Sequence, residues 1–394
     1  MAKMLVIYNK DTGIKQVVSE DYNYRFDSNT GEFHRWGAKK EDDPKWGMLE
    51  IFDLEISEVC HGIPRTAEEI PVVCGFCYKT NSPVGTNMSF DTFKQVFNKL
   101  PRTLTQIAFG IGDIWSNPDL VKIMDYCRDN EYNPGVVPNL TTNGFGLTDE
   151  WVKTLAERCG GVAVSRYENY NVCYDAVDKL FKAGIEQVTI HQLLSVETYD
   201  QCITAIDDCA DDPRLSGLKA ILFLTLKPKG KRNKQSILKD VTKYRQLVEH
   251  AMKRQVNIGF DSCSAPIFLM AMKDHPNFKY FSMLSESCES NRFSGYANAK
   301  GEYWHCSFTE EQEGWKGINL LEVEDFQRDV WHHPEVERFR NKLICQDNKH
   351  IDSECYLCPV FDLYTPEIGN ASDTAYEAEA NKYTEKRVIQ IKAA

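Results

Sequence analysis

The sequence predicts an α/β protein built on a parallel β-barrel, complete or partial, followed by a smaller cysteine-rich domain. Two observations predict this fold class. Between about residues 50 and 260, short apolar strands alternate with helix-like stretches some six or seven times, which is typical of a parallel sheet. After residue 260 the alternation stops, and the chain becomes richer in cysteine, aromatic residues and turns.

The elements follow in order along the chain. Residues 1–50 form a polar lead-in with turn signals at 28–31 and 43–44. The predicted strands are 54–58, 106–109, 136–140, 161–165, 187–193, 219–226 and 257–260. The predicted helices are 90–99, 117–129, 149–158, 173–183, 197–207 and 238–254. A hairpin is expected at 295–308, and an amphipathic helix at 325–343.

Composition narrows the class of protein. The 394 residues include 14 cysteines, carry a net charge of −12 and are 42% hydrophobic, which is ordinary globular composition. No apolar run approaches the roughly 20 residues of a membrane helix, and the N-terminus lacks the shape of a signal peptide. We therefore expect a cytoplasmic protein without a membrane partner, whose cysteines are metal ligands or buried thiols. The acidic balance argues against a general nucleic-acid binder.

The first cysteine group follows the first predicted barrel strand. Cys74 and Cys77 form a CxxC pair, and Cys60 is the only cysteine upstream of them. Thirteen residues separate Cys60 from Cys74, and this is no strong objection because loop-closure cost grows only logarithmically with length. Three thiolates at a strand end favour an iron–sulfur cluster with one open iron. A zinc site and a metal-free redox CxxC are the alternatives.

The ends of the next three strands carry small and polar residues. Such turns are common singly, but here one follows each consecutive strand, at the edge where parallel α/β folds place their chemistry. The residues are Gly110, Gly112 and Asp113 after the second strand, Thr142 and Asn143 after the third, and Ser165 and Arg166 after the fourth.

A second cysteine group lies after the barrel. Four thiolates from a hairpin and a later CxxC can complete an iron–sulfur or a zinc site. They are Cys288, Cys306, Cys355 and Cys358. Cys263, at the end of the last predicted strand, is either a replacement ligand, a residue facing the substrate or a buried thiol.

In these motifs the sequence resembles the radical S-adenosylmethionine (radical SAM) superfamily, over roughly residues 50–230. That family has three cysteines after the first strand, a Gly-Gly-Glu-like turn after the second and Thr-Asn-Gly-like residues after the third. Two departures are visible here. The family spacing CxxxCxxC is lengthened between Cys60 and Cys74, and the Gly-Gly-Glu turn is Gly110-Ile-Gly-Asp113. The resemblance implies a partial (β/α)6 barrel over residues 51–262.

The resemblance also implies a role for each matched residue. Cys60, Cys74 and Cys77 would hold a [4Fe–4S] cluster whose open iron binds S-adenosylmethionine (SAM). Phe76 would pack on the adenine, and the turn Gly110–Asp113 would bind the SAM ammonium. The ribose or carboxylate contacts would come from Thr142, Asn143, Ser165 and Arg166. An electron from the cluster would cleave SAM to a 5′-deoxyadenosyl radical that abstracts a substrate hydrogen.

The second cysteine group resembles a twitch domain, the shortened relative of the SPASM domain. Its hairpin pattern C-x(9–15)-G-x4-C is matched by Cys288, Gly301 and Cys306. The resemblance implies one auxiliary [4Fe–4S] cluster held by these two cysteines with Cys355 and Cys358, in electron transfer. The expected twitch domain spans 263–375, the tail spans 376–394, and a flavodoxin or ferredoxin would supply electrons.

The substrate candidates are Tyr167, His191, Gln192, Lys227 and Lys229, all after or within barrel strands. The basic loop 227–234 is either a solvated loop or a clamp for an anionic substrate group. A peptide or protein, a small metabolite, and a nucleotide or nucleic-acid base are the competing substrates. Oxidation and isomerisation both remain open. A non-catalytic zinc or iron–sulfur scaffold protein is the alternative of another class.

Overall fold

The computed structural model describes residues 4–66, 68–344 and 357–363. The chain divides into two compact units. The first comprises Met1–Cys74, Lys79–Thr189 and Ser290–Arg338, and the second comprises Gly75–Tyr78, Ile190–Glu289 and Phe339–Ala394. The predicted ligand Cys355 and residues 364–394 lie outside the described residues. Within the described part, no helix is long and apolar enough to cross a membrane.

The expected polar lead-in is a folded antiparallel sheet. Its strands pair in chain order and are β1 (Leu5–Asn9), β2 (Ile14–Val18), β3 (Asn23–Asp27) and β4 (Phe33–Trp36). Tyr24 and Phe26 are completely buried, and the turn expected at 28–31 joins β3 to β4. Alternation of polar and apolar residues builds one buried face here, although the overall composition is polar.

Four parallel strands form the core of the first unit, in the spatial order β8, β7, β6, β5. They are β5 (Ile51–Glu55), β6 (Gln106–Gly110), β7 (Val137–Thr142) and β8 (Val162–Arg166). The expectation of a strand at 54–58 was wrong by three residues, because pairing with β6 begins at Ile51 and ends at Glu55. The other three strands confirm their predicted positions to within one or two residues.

Each of these strands leads into a helix, as the sequence pattern predicts. The helices are α1 (Phe90–Phe97), α2 (Leu120–Arg128), α3 (Asp149–Arg158) and α4 (Tyr170–Lys182). Two of them start at hydroxyl caps: Ser89 Oγ accepts a hydrogen bond from the Thr92 N–H, and Thr148 Oγ1 accepts one from the Trp151 N–H. Each of the four helices has a buried apolar face.

The chain enters the second unit within β9 (Val188–Leu194). In this unit β10 (Ala220–Thr225) lies between β9 and β11 (Ile258–Phe260), and β10 and β11 are parallel. Its helices are α5 (Tyr199–Asp211), α6 (Val241–Arg254), α7 (Ala265–Met272) and α8 (Phe278–Met283). Phe268, Leu269 and Met272 of α7 pack with Val248 of α6 into an apolar core.

The chain then returns to the first unit. There β12 (Ser294–Ala297) lies parallel to β5, and β13 (Glu302–Trp304) and β14 (Ile318–Asn319) extend the sheet antiparallel. This confirms the predicted hairpin, whose turn contains Gly301 at φ +80°. The helix expected over 325–343 is interrupted: a π-helical turn at Gln327–Trp331 precedes α9 (Pro334–Ile344). Proline starts a helix more readily than it continues one.

Candidate cofactor-binding site

The predicted turns of the first unit meet at one edge of its parallel sheet. Glu55 pairs with Gly110, Gly110 pairs with Thr141, and Thr142 pairs with Val164. The carboxyl ends of β5, β6, β7 and β8 are therefore in register. In parallel α/β folds this edge carries the ligand site.

Asp113, in the turn after β6, is completely buried, and its carboxylate is contacted from two other segments. Oδ2 accepts a hydrogen bond from the His61 backbone N–H at 2.7 Å, and His61 Nδ1 lies 2.7 Å from the same oxygen. Oδ1 accepts from Asn143 Nδ2 at 2.9 Å and lies 3.9 Å from Cys60 Sγ. The carboxylate thus joins the turn after β7 to the start of the cysteine loop, which is the segment between Cys60 and Cys74.

Gly112 allows Cys60 to approach this turn. A Cβ at Gly112 would lie 2.6 Å from Cys60 Cβ and 2.7 Å from its Sγ, closer than non-bonded atoms approach. The Gly62 N–H points back at Cys60, 3.3 Å from Sγ. A thiolate here would have that N–H as a hydrogen-bond donor, which suits a cluster ligand.

The long spacing between Cys60 and Cys74 has a structural explanation. Ile63 N–H donates to Val72 O at 3.3 Å, and Val72 N–H donates to Ile63 O at 3.0 Å, so residues 64–66 and 68–71 lie outside this pairing. Gly62 has φ +81°, and a Cβ there would lie 2.0 Å from Val72 O. This bridge, hereafter the neck, brings the chain just after Cys60 beside the chain just before Cys74.

The turn after β7 is held against Gly112. Thr142 Oγ1 donates to Gly112 O at 3.2 Å, and the Asn143 N–H donates to the same oxygen at 3.3 Å. Asn143 Oδ1 accepts from the Phe145 N–H at 2.9 Å. Both side chains are buried, so their polar groups are arranged by the protein itself.

Arg166, the last residue of β8, is also buried. Its Nε donates to Tyr174 OH at 2.7 Å, and its guanidinium lies 5.2 Å from the ring centroid of Tyr170. Ser165 and Tyr167, on either side of it, are half-buried. The structure therefore places all three at the edge that carries the turns after β6 and β7, with the Arg166 cation stabilised by aromatic rings.

The remaining residues of the first cysteine group straddle the division of the chain. Cys74 belongs to the first unit, and Phe76 and Cys77 belong to the second. Gly230, in the basic loop, lies against Cys77: at φ +104°, its Cβ would be 2.4 Å from Cys77 O. Among the described residues, no three His, Cys, Asp or Glu side chains are arranged as a metal site.

The substrate candidates of the second unit differ in exposure. Gln192 is buried and donates to Leu193 O at 3.0 Å, while burial lowers the pKa of His191 to about 4. Lys227 is buried and forms an ion pair with Asp261. Burial disfavours the Lys227 ammonium, but the Asp261 carboxylate and the Cys263 sulfur together outweigh it and raise the Lys227 pKa. Lys229 is half-buried.

The second cysteine group is only partly described. Cys288 and Cys358 are half-buried residues of the second unit, and the Phe361 N–H lies 3.4 Å from Cys358 Sγ. Cys306 belongs to the first unit. Desolvation raises the pKa of the Cys263 thiol, and negative charge on Cys288 and Cys358 would raise it further. Cys263 is therefore a neighbour of both predicted ligands.

A buried charged cluster in the first unit was not predicted. Lys79 Nζ lies 2.9 Å from Glu55 Oε2 and 2.6 Å from Tyr296 OH, and it also pairs with Glu310. Asn298 Nδ2 donates to Glu310 Oε1 at 2.8 Å. Burial raises the pKa of Glu55, and the Lys79 ammonium opposes this. The feature of the sequence that could have indicated this cluster was Glu55, a charged residue at the end of an apolar strand.

Comparisons with known structures agree with this architecture. SuiB of Streptococcus suis bound to S-adenosylmethionine aligns at TM-score 0.56 and 14% identity, over 75% of this chain and 68% of SuiB. SuiB bound to the precursor peptide SuiA aligns at 0.56 and 14%, over 74% and 67%. The protein anSMEcpe with bound AdoMet and Cp18Cys peptide aligns at 0.53 and 14%, over 74% and 82%. No family profile and no curated protein sequence matches the chain.

At such low identity these alignments show a shared fold. The chain therefore shares its fold with SuiB and anSMEcpe, which are solved with S-adenosylmethionine (AdoMet) bound. The fold is a mixed α/β architecture with a parallel sheet, as the sequence predicts.

Proposed function

We propose that the protein is a radical SAM enzyme. Cys60, Cys74 and Cys77 would hold a [4Fe–4S] cluster that binds SAM through its open iron. The observation that carries the proposal is the meeting of the turns after β6 and β7 at Cys60, in a fold shared with SAM-bound proteins. The thiolate donors suit an iron–sulfur cluster, and the neck compensates for the unusual spacing of Cys60 and Cys74.

The chain's own residues would bind and orient SAM within a partial (β/α)6 barrel. Phe76 would cover the adenine, and the turn of Gly110, Gly112 and Asp113 would bind the ammonium. The ribose or carboxylate would be contacted by Thr142, Asn143, Ser165 and Arg166. When bound, the cluster supplies the electron that cleaves SAM to methionine and a 5′-deoxyadenosyl radical, which takes a hydrogen atom from the substrate. The buried side chains at this edge would keep water away.

The second cysteine group would hold one auxiliary [4Fe–4S] cluster in a twitch-type domain. Its proposed ligands are Cys288, Cys306, Cys355 and Cys358. Four protein ligands leave no iron open, which favours electron transfer over substrate binding. A flavodoxin or ferredoxin would donate electrons, and the reaction would be an oxidation or a rearrangement.

We propose a peptide substrate, because SuiB and anSMEcpe are both solved with peptides bound. Tyr167, His191 and Gln192 are the proposed cavity residues. Lys227, which forms an ion pair with Asp261, and Lys229 are the proposed contacts of an anionic substrate group. Turnover of a small metabolite or a nucleotide in place of a peptide would replace this part of the proposal and leave the radical SAM chemistry intact.

Anaerobic reconstitution tests the proposal. The chain should bind about eight irons, absorb broadly near about 400 nm and form 5′-deoxyadenosine from SAM with dithionite. Cys74→Ala should abolish 5′-deoxyadenosine formation. Cys355→Ala should keep this activity and lose only the irons of the second cluster. A colourless protein that binds zinc would refute the enzyme and support a scaffold protein.

A further inference from the structure

We infer that the Asp113 carboxylate is a positioning group for Cys60, rather than a direct contact of the SAM ammonium. The inference rests on the proposed function and assigns a different role to one residue of the site. The turn Gly110–Asp113 would then contribute to SAM binding through its backbone, while the Asp113 side chain faces the cysteine loop.

The contacts of Asp113 carry this inference. An ionised carboxylate offers about four acceptor positions. Here three nitrogens, from His61 N, His61 Nδ1 and Asn143 Nδ2, lie within 2.7–2.9 Å of its oxygens. Cys60 Sγ lies 3.9 Å from Oδ1. An incoming ammonium would have to displace one of these partners from a completely buried group.

The cysteine loop needs such an anchor. With thirteen residues between Cys60 and Cys74, sequence proximity alone does little to hold Cys60 in place. The neck fixes the loop on the side of Gly62 and Ile63. Asp113 fixes His61, the residue directly after Cys60, and ties it to Asn143 on the neighbouring strand end. The two anchors together determine where Cys60 Sγ points.

The contact network also explains two features of the sequence. Gly112 is needed because Cys60 packs directly on it. Asn143 is buried with both ends of its amide engaged, by Asp113 and by the Phe145 N–H. An amide held in this way supports the carboxylate, because its nitrogen donates to Asp113 while its oxygen accepts from the Phe145 N–H.

The test compares Asp113→Asn with Asp119→Asn as the matched control. Asp119 is also a carboxylate that accepts a backbone N–H, from Phe90 at 3.0 Å, but it lies outside the site. In the metal-free protein, alkylation of Cys60 by a maleimide is followed by mass spectrometry, with Cys74 as internal reference. The rates are read on a plateau where the modification of Cys60 and Cys74 no longer rises with pH, so that accessibility alone distinguishes the variants. We expect an increase of about tenfold for Asp113→Asn and none for Asp119→Asn.

A second pair of variants avoids the risk that Asp113→Asn fails to fold. His61 is exposed on one side, so His61→Ala should fold. His61→Ala loses the Nδ1 contact, whereas His61→Asn keeps a donor near the same place. Cys60 accessibility should rise in the former and return toward wild type in the latter. In the reconstituted protein, the same variants should change the electron paramagnetic resonance spectrum of the SAM-responsive cluster in the same order.

The outcomes separate this inference from the proposed function. If Asp113→Asn keeps wild-type Cys60 protection and iron content but loses SAM affinity, Asp113 is a direct SAM contact and the inference is overturned. If the wild-type protein binds no cluster, the proposed function fails. The alkylation rates then still decide whether Asp113 holds Cys60.

Discussion

Replacing Lys79 by methionine tests whether the buried charged cluster of the first unit is a structural element. Lys79→Met removes a cation that pairs with both Glu55 and Glu310 and leaves two carboxylates in a buried site. Its Nζ lies 2.9 Å from Glu55 Oε2, and only 10% of the Lys79 side chain is exposed. Breaking a buried pair in this way leaves an uncompensated charge, which water cannot solvate well.

The size of the destabilisation by Lys79→Met follows from these distances. At an effective dielectric constant of about 20, the attraction between Lys79 Nζ and Glu55 Oε2 is about 6 kcal/mol before desolvation is subtracted. Removal of one partner of a buried pair costs about 3–5 kcal/mol of unfolding free energy. The folded-to-unfolded ratio should therefore fall by roughly a hundredfold or more.

The unfolding free energy that Lys79→Met loses should depend on pH. Burial raises the pKa of Glu55, Lys79 opposes this, and loss of Lys79 should raise the pKa further. A carboxyl whose pKa is higher in the folded state keeps its proton there, so stability falls as pH rises from about 4.3 through the folded-state pKa. The deficit of Lys79→Met should be smallest near about pH 4.5 and grow toward about pH 8.

Urea denaturation of both proteins at these two pH values measures the effect, with Lys122→Met as control. Lys122 also lies 2.9 Å from a carboxylate oxygen, of Asp119, but 68% of its side chain is exposed. An exposed pair is worth less than about 1 kcal/mol. Equal losses for the two variants, or a Lys79→Met deficit that is the same at both pH values, would refute the reasoning.

Three further predictions concern other contacts. Lys227→Met should lower the free energy of unfolding, measured by urea denaturation, by about 3 kcal/mol. Adding Asp261→Asn should recover part of this loss. No recovery would mean that the buried charge is not the cause. Gly112→Ala should displace Cys60 and lower the iron content of the reconstituted protein, whereas unchanged iron would show that the turn can shift. Asp240→Ala should cost about 1 kcal/mol, because Asp240 caps α6 through the Thr242 N–H at 2.8 Å; a thermal midpoint equal to wild type would contradict this.

Local patterns were sufficient to predict most of the central architecture. Strands such as β6 and β7 are apolar runs with a polar turn at the carboxyl end, and this signal lies within about ten residues. The helices between them carry caps such as Ser89 and Thr148 at the expected places. Strand β5 was misplaced because the apolar pattern continues through Ile56, and only pairing with β6 defines its end.

Other features depend on contacts between distant parts of the chain. The N-terminal sheet was missed because each strand is short and half polar, so its buried face appears only when four strands pair. Lys79 and Glu310 are 231 residues apart, and nothing in either segment indicates the other. His61 was not singled out either, because its role depends on Asp113 in a different turn.

The sequence by itself determined the alternation of strands and helices, the polar turns at the strand ends and the two groups of cysteines, because each is a pattern of neighbouring residues. It also led to the resemblance that the shared fold supports. Only the tertiary structure determined which residues of these turns contact one another. Parallel pairing in register brings Gly112, Asp113 and Asn143 to one edge, and the neck places Cys60 there despite its long separation from Cys74. Hydrogen bonds and ion pairs act over about 3 Å, so partners far apart in sequence are defined only when the chain has folded.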